Sequence, residues 1–180
     1  MIVCFIGHRS VENVEQLRIR LTETIERLIA DGADTFLFGS RSEFDSLCWE
    51  VVTELQNQYP NIKRVSYNAP HESAITSKEE RQQLEQIYSK LIGGEVHLKD
   101  YEAAVNSQKA KNATKDAYIM RNQEMIDNSD VCVFYYNKDY LPPRRKQSKH
   151  NVIDYQPQSG TARAFTYANK KKKTIINLFD

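Results

Sequence analysis

A glycine, a histidine and an arginine follow the first apolar run of the chain. Residues 2–6 are apolar, and Gly7, His8 and Arg9 come directly after them. Gly7 permits a tight turn and a close backbone approach, while His8 adds a titratable ring and Arg9 a fixed cationic fork. This combination suits an anionic ligand such as a phosphate. A glycine that only ends a strand and a solvated arginine explain the tripeptide more simply, so other segments must decide.

A second candidate for anion binding lies near the end of the chain. Ser159, Gly160 and Thr161 open a helical stretch and offer backbone N–H groups and hydroxyls at the positive end of a helix dipole. Serine and threonine are also ordinary capping residues, and taken alone the segment favours a plain helix cap.

Three further places carry candidate chemistry. Gly39 and Ser40 follow another short apolar run, with Asp45 close behind, and Arg121 and Asn122 stand inside a predicted helix. An acidic residue in a first helical turn favours the dipole without any function. Likewise, an arginine exposed on a helix needs none.

Carboxylates can act as nucleophiles or stabilise positive charge that develops during a reaction. Asp45 and Asp127 are the weak catalytic candidates, and Glu43 is a weaker third. No catalytic residue is assigned beyond these.

The elements that must position these residues alternate between strand and helix. Apolar residues at helical spacing predict one helix through residues 17–29 and another through residues 44–55. Later helices are predicted from about residue 116 to 128 and after residue 159. Buried strands are predicted at residues 2–6, 35–38, 62–67, 131–136 and 174–178. This order predicts an α/β fold: a Rossmann-like three-layer αβα sandwich with a mainly parallel five-stranded sheet.

Two segments interrupt the alternation within what we interpret as one domain, residues 1–180. Residues 69–114 form a predicted helical insertion after the third strand, in which Leu84, Ile87, Tyr88 and Leu91 supply a narrow apolar stripe that packs on the body. We expect an inert helical hairpin there, with a lid as the alternative. Residues 137–158, with Arg144-Arg145-Lys146, are predicted to be a basic flexible loop.

The predicted order of strands brings the candidate residues to one edge. The first strand should lie beside the strand at residues 131–136, at the point where the winding of the chain reverses. The loops after strands one and two and the helix start at Ser159 then share one rim. Two strand–glycine loops and a Gly-Thr helix start on one rim are explained better by a phosphate or ribose site than by three independent caps.

Composition limits the function classes. The chain has 180 residues, 27% charged and 40% hydrophobic, with a formal net charge of +1. The near-neutral charge makes nucleic acid an unlikely partner, and no apolar run is long enough for a membrane span. We therefore expect a cytoplasmic protein. Its cysteines, Cys4, Cys48 and Cys132, fall in apolar runs and predict buried thiols with no metal site.

The motifs as an ordered set resemble a known family. Gly7-His8-Arg9, Gly39 with Phe44-Asp45, Arg121-Asn122 with Met125-Asp127, and Ser159-Gly160-Thr161 are similar to the YpsA-type proteins of the SLOG superfamily, relatives of the DprA and LOG Rossmann-like folds. The resemblance covers nearly the whole chain outside the insertion and the basic loop.

The resemblance implies a Rossmann-like domain that binds a nucleotide or nucleotide-sugar-type ligand at the carboxyl end of the sheet. The ligand-binding residues it implies are Gly7, His8, Arg9, Gly39, Ser40, Asp45, Arg121, Asn122, Ser159, Gly160 and Thr161. The partner would be a small phosphate-bearing molecule, and a homo-oligomer stays open.

Three functions follow from the resemblance. The first is a sensor or regulatory protein that binds such a ligand. The second is an enzyme acting on an N-glycosidic bond, like a LOG phosphoribohydrolase or a nucleoside deoxyribosyltransferase. The third is DprA-like binding of single-stranded nucleic acid.

The sequence departs from the family pattern at two places. Ser159 stands where LOG-like enzymes have glycine in their Gly-Gly-Thr loop, and the second loop, Gly39-Ser40-Arg41-Ser42-Glu43, has fewer glycines than relatives tend to have. The first departure weakens the phosphoribohydrolase alternative, and the second implies a phosphate that is cradled differently or less tightly.

Overall fold

The computed structural model describes residues 1–39, 42–112, 116–142 and 158–179. Its strands are β1 (Ile2–Gly7), β2 (Thr35–Phe38), β3 (Lys63–Asn68), β4 (Ala103–Asn106), β5 (Val131–Tyr135) and β6 (Thr174–Asn177). Its helices are α1 (Val14–Ala30), α2 (Glu43–Leu55), α3 (Lys78–Ile92), α4 (Ala117–Asp127) and α5 (Gly160–Lys170).

The described strands form one parallel sheet in the order β4-β3-β2-β1-β5-β6. The predicted neighbours β1 and β5 are confirmed, with Gly7 opposite Tyr135 in the register. The chain winds outward from β1 through β2 to β4 and then returns to the other side of β1. The gap between β1 and β5 is therefore the switch point at which open α/β sheets bind ligands.

Alternate residues of β1 enter two separate cores. Val3 and Phe5 pack with α1 and α2, whereas Cys4 and Ile6 pack with α4 and α5. Because side chains of a strand point alternately to opposite faces, the two cores lie on opposite faces of the sheet. This arrangement gives the predicted three-layer αβα sandwich, and it buries the three cysteines as free thiols.

The prediction of five strands is wrong by one, because the insertion is not wholly helical. Residues 103–106 form β4, which pairs in parallel with β3 and extends the sheet by one strand. Three of its four residues are exposed and only Val105 is partly buried. An edge strand with so little buried surface lacks the apolar run by which the other strands were predicted.

The predicted apolar stripe of the insertion does not pack as expected. No residue of α3 is buried, and Ile87, Tyr88 and Leu91 are exposed. The insertion is held instead through the segments that flank the helix. The Arg64 guanidinium donates to Glu102 at 2.9 Å and pairs with Asp100 at 3.1 Å, which joins β3 to the chain after α3.

No helix in the described ranges is both long and apolar enough to span a membrane.

Candidate functional site

Gly7 lies at the carboxyl end of β1, and its lack of a side chain is required by packing. A Cβ atom added there would lie 2.3 to 2.7 Å from Phe44, a fully buried residue in the first turn of α2. The first strand therefore ends in close contact with α2. The sequence predicted that the backbone of Gly7 allows a close approach. In the structure, the side chain that approaches it closely is that of Phe44, in the core.

His8 is buried beneath the same rim. Its Nε2 accepts a hydrogen bond from the Asn137 backbone N–H at 3.0 Å, and its ring lies 4.3 Å from the ring of Tyr140. Burial lowers the pKa of His8 from its ordinary value of 6.5. The Asn137 backbone, whose carbonyl oxygen lies 3.3 Å from Nε2, raises this pKa by less than burial lowers it, and the lowered pKa favours the neutral imidazole. His8 therefore ties the loop after β1 to the loop after β5.

Arg9 is exposed on this rim. Its backbone carbonyl accepts from the Glu43 backbone N–H at 2.9 Å, and the Glu43 carboxylate accepts from Val11 N–H at 3.1 Å. These bonds fix the backbone of the loop while the guanidinium reaches solvent. Within the described ranges, Arg9 forms no ion pair.

The helix start at Ser159 caps its own helix, and part of it stays open. The Ser159 hydroxyl accepts from Ala162 N–H at 3.0 Å, as a capping serine does. Thr161 is buried, whereas Gly160 is exposed and has open space where a Cβ would stand. The first turn of α5 contains no acidic residue, so its positive dipole end is not neutralised from within the helix.

The second glycine loop, in contrast, is neutralised internally. Asp45 is 2% exposed at the start of α2, and its carboxylate accepts from Gly39 N–H at 3.3 Å. The Lys99 ammonium lies 3.7 Å from the same carboxylate and donates to Ser46 at 2.9 Å. The start of α2 thus already holds an anion of the protein, which disfavours a phosphate there.

Arg121 is buried and not exposed as the helix pattern suggested. Only 1% of its surface is accessible, and it donates to the Glu72 carboxylate at 2.9 Å. It also contacts the Asn122 side-chain oxygen at 3.4 Å. A Cβ atom on Gly39 would lie 2.9 Å from the Arg121 guanidinium and 2.5 Å from the Met125 sulfur. Tyr118, on the same helix, is exposed.

Asp127 lies apart from these residues. It is the last residue of α4. Just beyond it, the Asp130 backbone N–H donates to the carbonyl of Ile2 at the beginning of β1, so this turn lies at the opposite edge of the sheet. Burial alone would raise the pKa of Asp127, but hydrogen bonds from Lys109, Tyr167 and Lys171 lower it. The structure therefore does not bring the two weak catalytic candidates, Asp45 and Asp127, together.

A cavity of about 420 Å³ opens beside Gly39 at the carboxyl ends of β2 and β3. This volume lies within the range of small-molecule sites. Its polar lining includes Gly39, Ser66, Asn68, Glu72, Lys99 and Tyr101. Burial and the charge of Asp45 raise the pKa of the Tyr101 hydroxyl, which stays protonated.

The insertion supplies much of this cavity, and its lining residues were not predicted from the sequence. The segments before and after α3 meet in a parallel bridge between Ile75 and Asp100 and form one wall. One signal was present in the sequence. Ser66 lies in the strand predicted at residues 62–67, and Asn68 comes one residue after it. If the strand continues by one residue, these two polar side chains share one face at its carboxyl end.

A smaller cavity of about 310 Å³ adjoins the first, and Asn68 and Glu72 line both. Across the described ranges, no three His, Cys, Asp or Glu side chains cluster in a way that could hold a metal ion. The polar residues that line the two cavities can offer hydrogen bonds to a ligand.

The model of the YspA SLOG family (YpsA) matches residues 5–170. The chain belongs to this family. The match begins within β1 and ends at the last residue of α5, so it includes every predicted site residue. A comparison with curated proteins gives no match.

Within this family member, the predicted site residues fall into three groups. His8, Arg9 and Gly160 lie at the edge around β1 and β5, Gly39 and Asp45 lie beside the cavity, and Arg121 and Asn122 lie beneath Gly39. Ser40 and residues 143–157, which include Arg144-Arg145-Lys146 of the predicted basic loop, lie outside the described residues.

Proposed function

We propose that the protein binds a nucleotide or nucleotide-derived ligand across the carboxyl edge of its sheet, as a sensor or regulatory protein. The observation that carries this proposal is the pairing of an exposed arginine and an acid-free helix start with a polar cavity two strands away. Adjacent strands lie about 4.8 Å apart, so the ends of β1 and β3 are separated by roughly 10 Å. A mononucleotide can span that separation.

The phosphate would bind at the switch point. Arg9 offers a cation with no ion-pair partner in the described ranges, and Gly160 and Thr161 stand in the first turn of α5, where N–H groups lack helical partners. Gly7 and His8 hold the loop that carries Arg9.

The rest of the ligand would lie over Gly39 toward the cavity. Asp45 and the pair Arg121 and Asn122 support this part of the edge from beneath, through Gly39 and Glu72. Ser40 belongs to the same proposal by its position next to Gly39.

The experiment is a screen of melting temperature with nucleoside phosphates, dinucleotides and inorganic phosphate, followed by calorimetry of the best ligand with Arg9→Ala. Ligand that binds only the native state raises the melting temperature. Loss of a charge-assisted hydrogen bond should weaken affinity by roughly tenfold to a hundredfold.

Arg27→Ala is the matched control, because Arg27 is also exposed but lies at the far end of α1, at the opposite edge of the sheet. It removes the same charge and should leave affinity unchanged. A screen without any stabilising compound, or an Arg9→Ala variant that binds as well as the wild type, would refute the proposal.

A further inference from the structure

The cavity beside Gly39 contains a buried amide without a full set of partners. Asn68 is 6% exposed, and its side-chain oxygen accepts from the Ser66 hydroxyl at 2.9 Å. The other terminal atom of this amide has no hydrogen-bond partner among the described residues. The two ends of an amide are assigned from their neighbours, and either assignment leaves one end without a partner in a residue that lines the cavity. A polar atom so placed is satisfied by water or by a ligand.

The charges around the cavity cancel in pairs. The Asp45 carboxylate faces the Lys99 ammonium at 3.7 Å, and the Glu72 carboxylate accepts from the Arg121 guanidinium at 2.9 Å. A ligand group with a net charge would disturb one of these pairs, and its burial would cost more than that of a neutral group. An uncharged polar group is therefore the best match.

The chemistry of the wall fits hydroxyl groups. Ser46, Ser66 and Ser73 line the cavity with hydroxyls, and the Asn68 amide can donate as well as accept. Ile75, Leu98 and the ring of Tyr101 add apolar surface. A sugar ring has the same mixture, with hydroxyls at its rim and an apolar face.

We infer that this cavity is the subsite for the sugar of the ligand, and that Asn68 is a binding residue that selects a ribose with its vicinal hydroxyls. The inference rests on the proposed function, because it assumes a nucleotide whose phosphate lies at Arg9. It assigns ligand selectivity to the end of β3 and to the insertion that walls the cavity.

The test compares four ribonucleoside 5′-monophosphates with their 2′,3′-dideoxy counterparts by calorimetry. The wild type should prefer at least one ribonucleotide over its dideoxy counterpart. Asn68→Ala should bind that ribonucleotide about threefold to tenfold more weakly, the effect of one lost hydrogen bond, and should no longer discriminate between the two sugars. Binding of the dideoxynucleotide should be unchanged.

Asn106 provides the matched control, since it stands opposite Asn68 in the register of β4 and lines only the smaller cavity. Asn106→Ala should keep both the affinity and the preference. If Asn106→Ala loses the preference while Asn68→Ala keeps it, the sugar lies in the smaller cavity and the inference is wrong.

Asn68→Leu controls for the space that alanine would leave, because leucine fills about the volume of the amide with an apolar group. It should lose the preference as Asn68→Ala does. Ribonucleotide binding with an intact preference in both variants would refute the Asn68 inference alone. The absence of binding by the wild type to every nucleotide would refute the proposed function and this inference with it.

Discussion

The two halves of the carboxyl edge differ in how far the protein already satisfies its own charges. Around β2 and β3, every charge described above has a partner: Asp45 faces Lys99, and Glu72 binds Arg121. Around β1 and β5, Arg9 is exposed without an ion pair in the described ranges, and the first turn of α5 lacks an acidic residue. The half around β2 and β3, called the closed half below, already pairs its charges within the protein. The half around β1 and β5, called the open half, has a cation and a helix start that can bind an anion.

Because of this difference, the similar polar segments around Gly39 and Gly160 are expected to bind different parts of a ligand. Both halves contain a glycine among polar residues, Gly39 just after a strand and Gly160 at a helix start, and the sequence offers both as candidate phosphate sites. Gly39 N–H donates to a carboxylate of the protein, whereas Gly160 stands in open space at a helix start. A phosphate is therefore expected at the β1 side only, and a neutral group at the β3 side.

Removal of Arg121 should have the largest effect, because it opens the closed half. Arg121→Met leaves the Glu72 carboxylate without this guanidinium in a buried setting, and breaking a buried pair costs about 3–5 kcal/mol. The measurement is the free energy of unfolding by chemical denaturation.

Arg163→Met serves as the control, since Arg163 pairs with Asp116 at 3.5 Å on an exposed surface. Exposed pairs contribute roughly 0–1 kcal/mol. If both variants unfold with similar free energies, the Arg121 pair does not hold the closed half together.

The comparison of two glycines should give an intermediate effect. Gly39→Ala places a methyl group against the Arg121 and Met125 side chains, both of which are buried, and overpacking of a core costs about 1–3 kcal/mol. Gly160→Ala adds its methyl group in open space and should change stability by less than about 0.5 kcal/mol. The measurement is again chemical denaturation.

The loss of stability in Gly39→Ala should clearly exceed the loss in Gly160→Ala. Equal losses of stability would contradict the division of the edge into a closed and an open half.

The fold could be predicted from the sequence wherever burial left an apolar pattern, periodic in the helices and continuous in the central strands. The strand through residues 131–135 is apolar at every position and buried at every position, and both its existence and its place beside β1 were predicted. β4 was missed because Ala103, Ala104 and Asn106 are exposed at the edge of the sheet and leave no such pattern. An edge strand depends on its backbone bonds to β3, which no side-chain periodicity reports.

The candidate site was harder to predict, because its pairs join distant parts of the chain. Arg121 was interpreted as exposed because arginine usually is, and its partner Glu72 lies 49 residues earlier in the chain. Lys99 and Asp45 are likewise brought together only by the insertion. Charge pairing across such separations is a property of the folded chain, whereas glycine loops and helix caps are local.

The smallest expected effect is a pH dependence that arises in the open half. His8 is 4% exposed, and the groups around it are the rings of Tyr136 and Tyr140 and the backbone of Asn137. Burial lowers its pKa below the ordinary value of 6.5, so the unfolded chain binds a proton more readily than the folded one. The stabilising contribution is complete above pH 6.5 and is lost as the pH falls through the folded-state pKa.

His8→Gln isolates this contribution, because glutamine can accept from Asn137 N–H but does not titrate. The two proteins have every other titratable group in common. The difference between their melting temperatures, measured from about pH 7.5 to pH 5.5, therefore reports the titration of His8. The wild type should lose stability faster than the variant on acidification. If the difference in melting temperature stays constant with pH, protonation of His8 is not coupled to folding. A neutral imidazole between the loops after β1 and β5 would then not stabilise the folded protein.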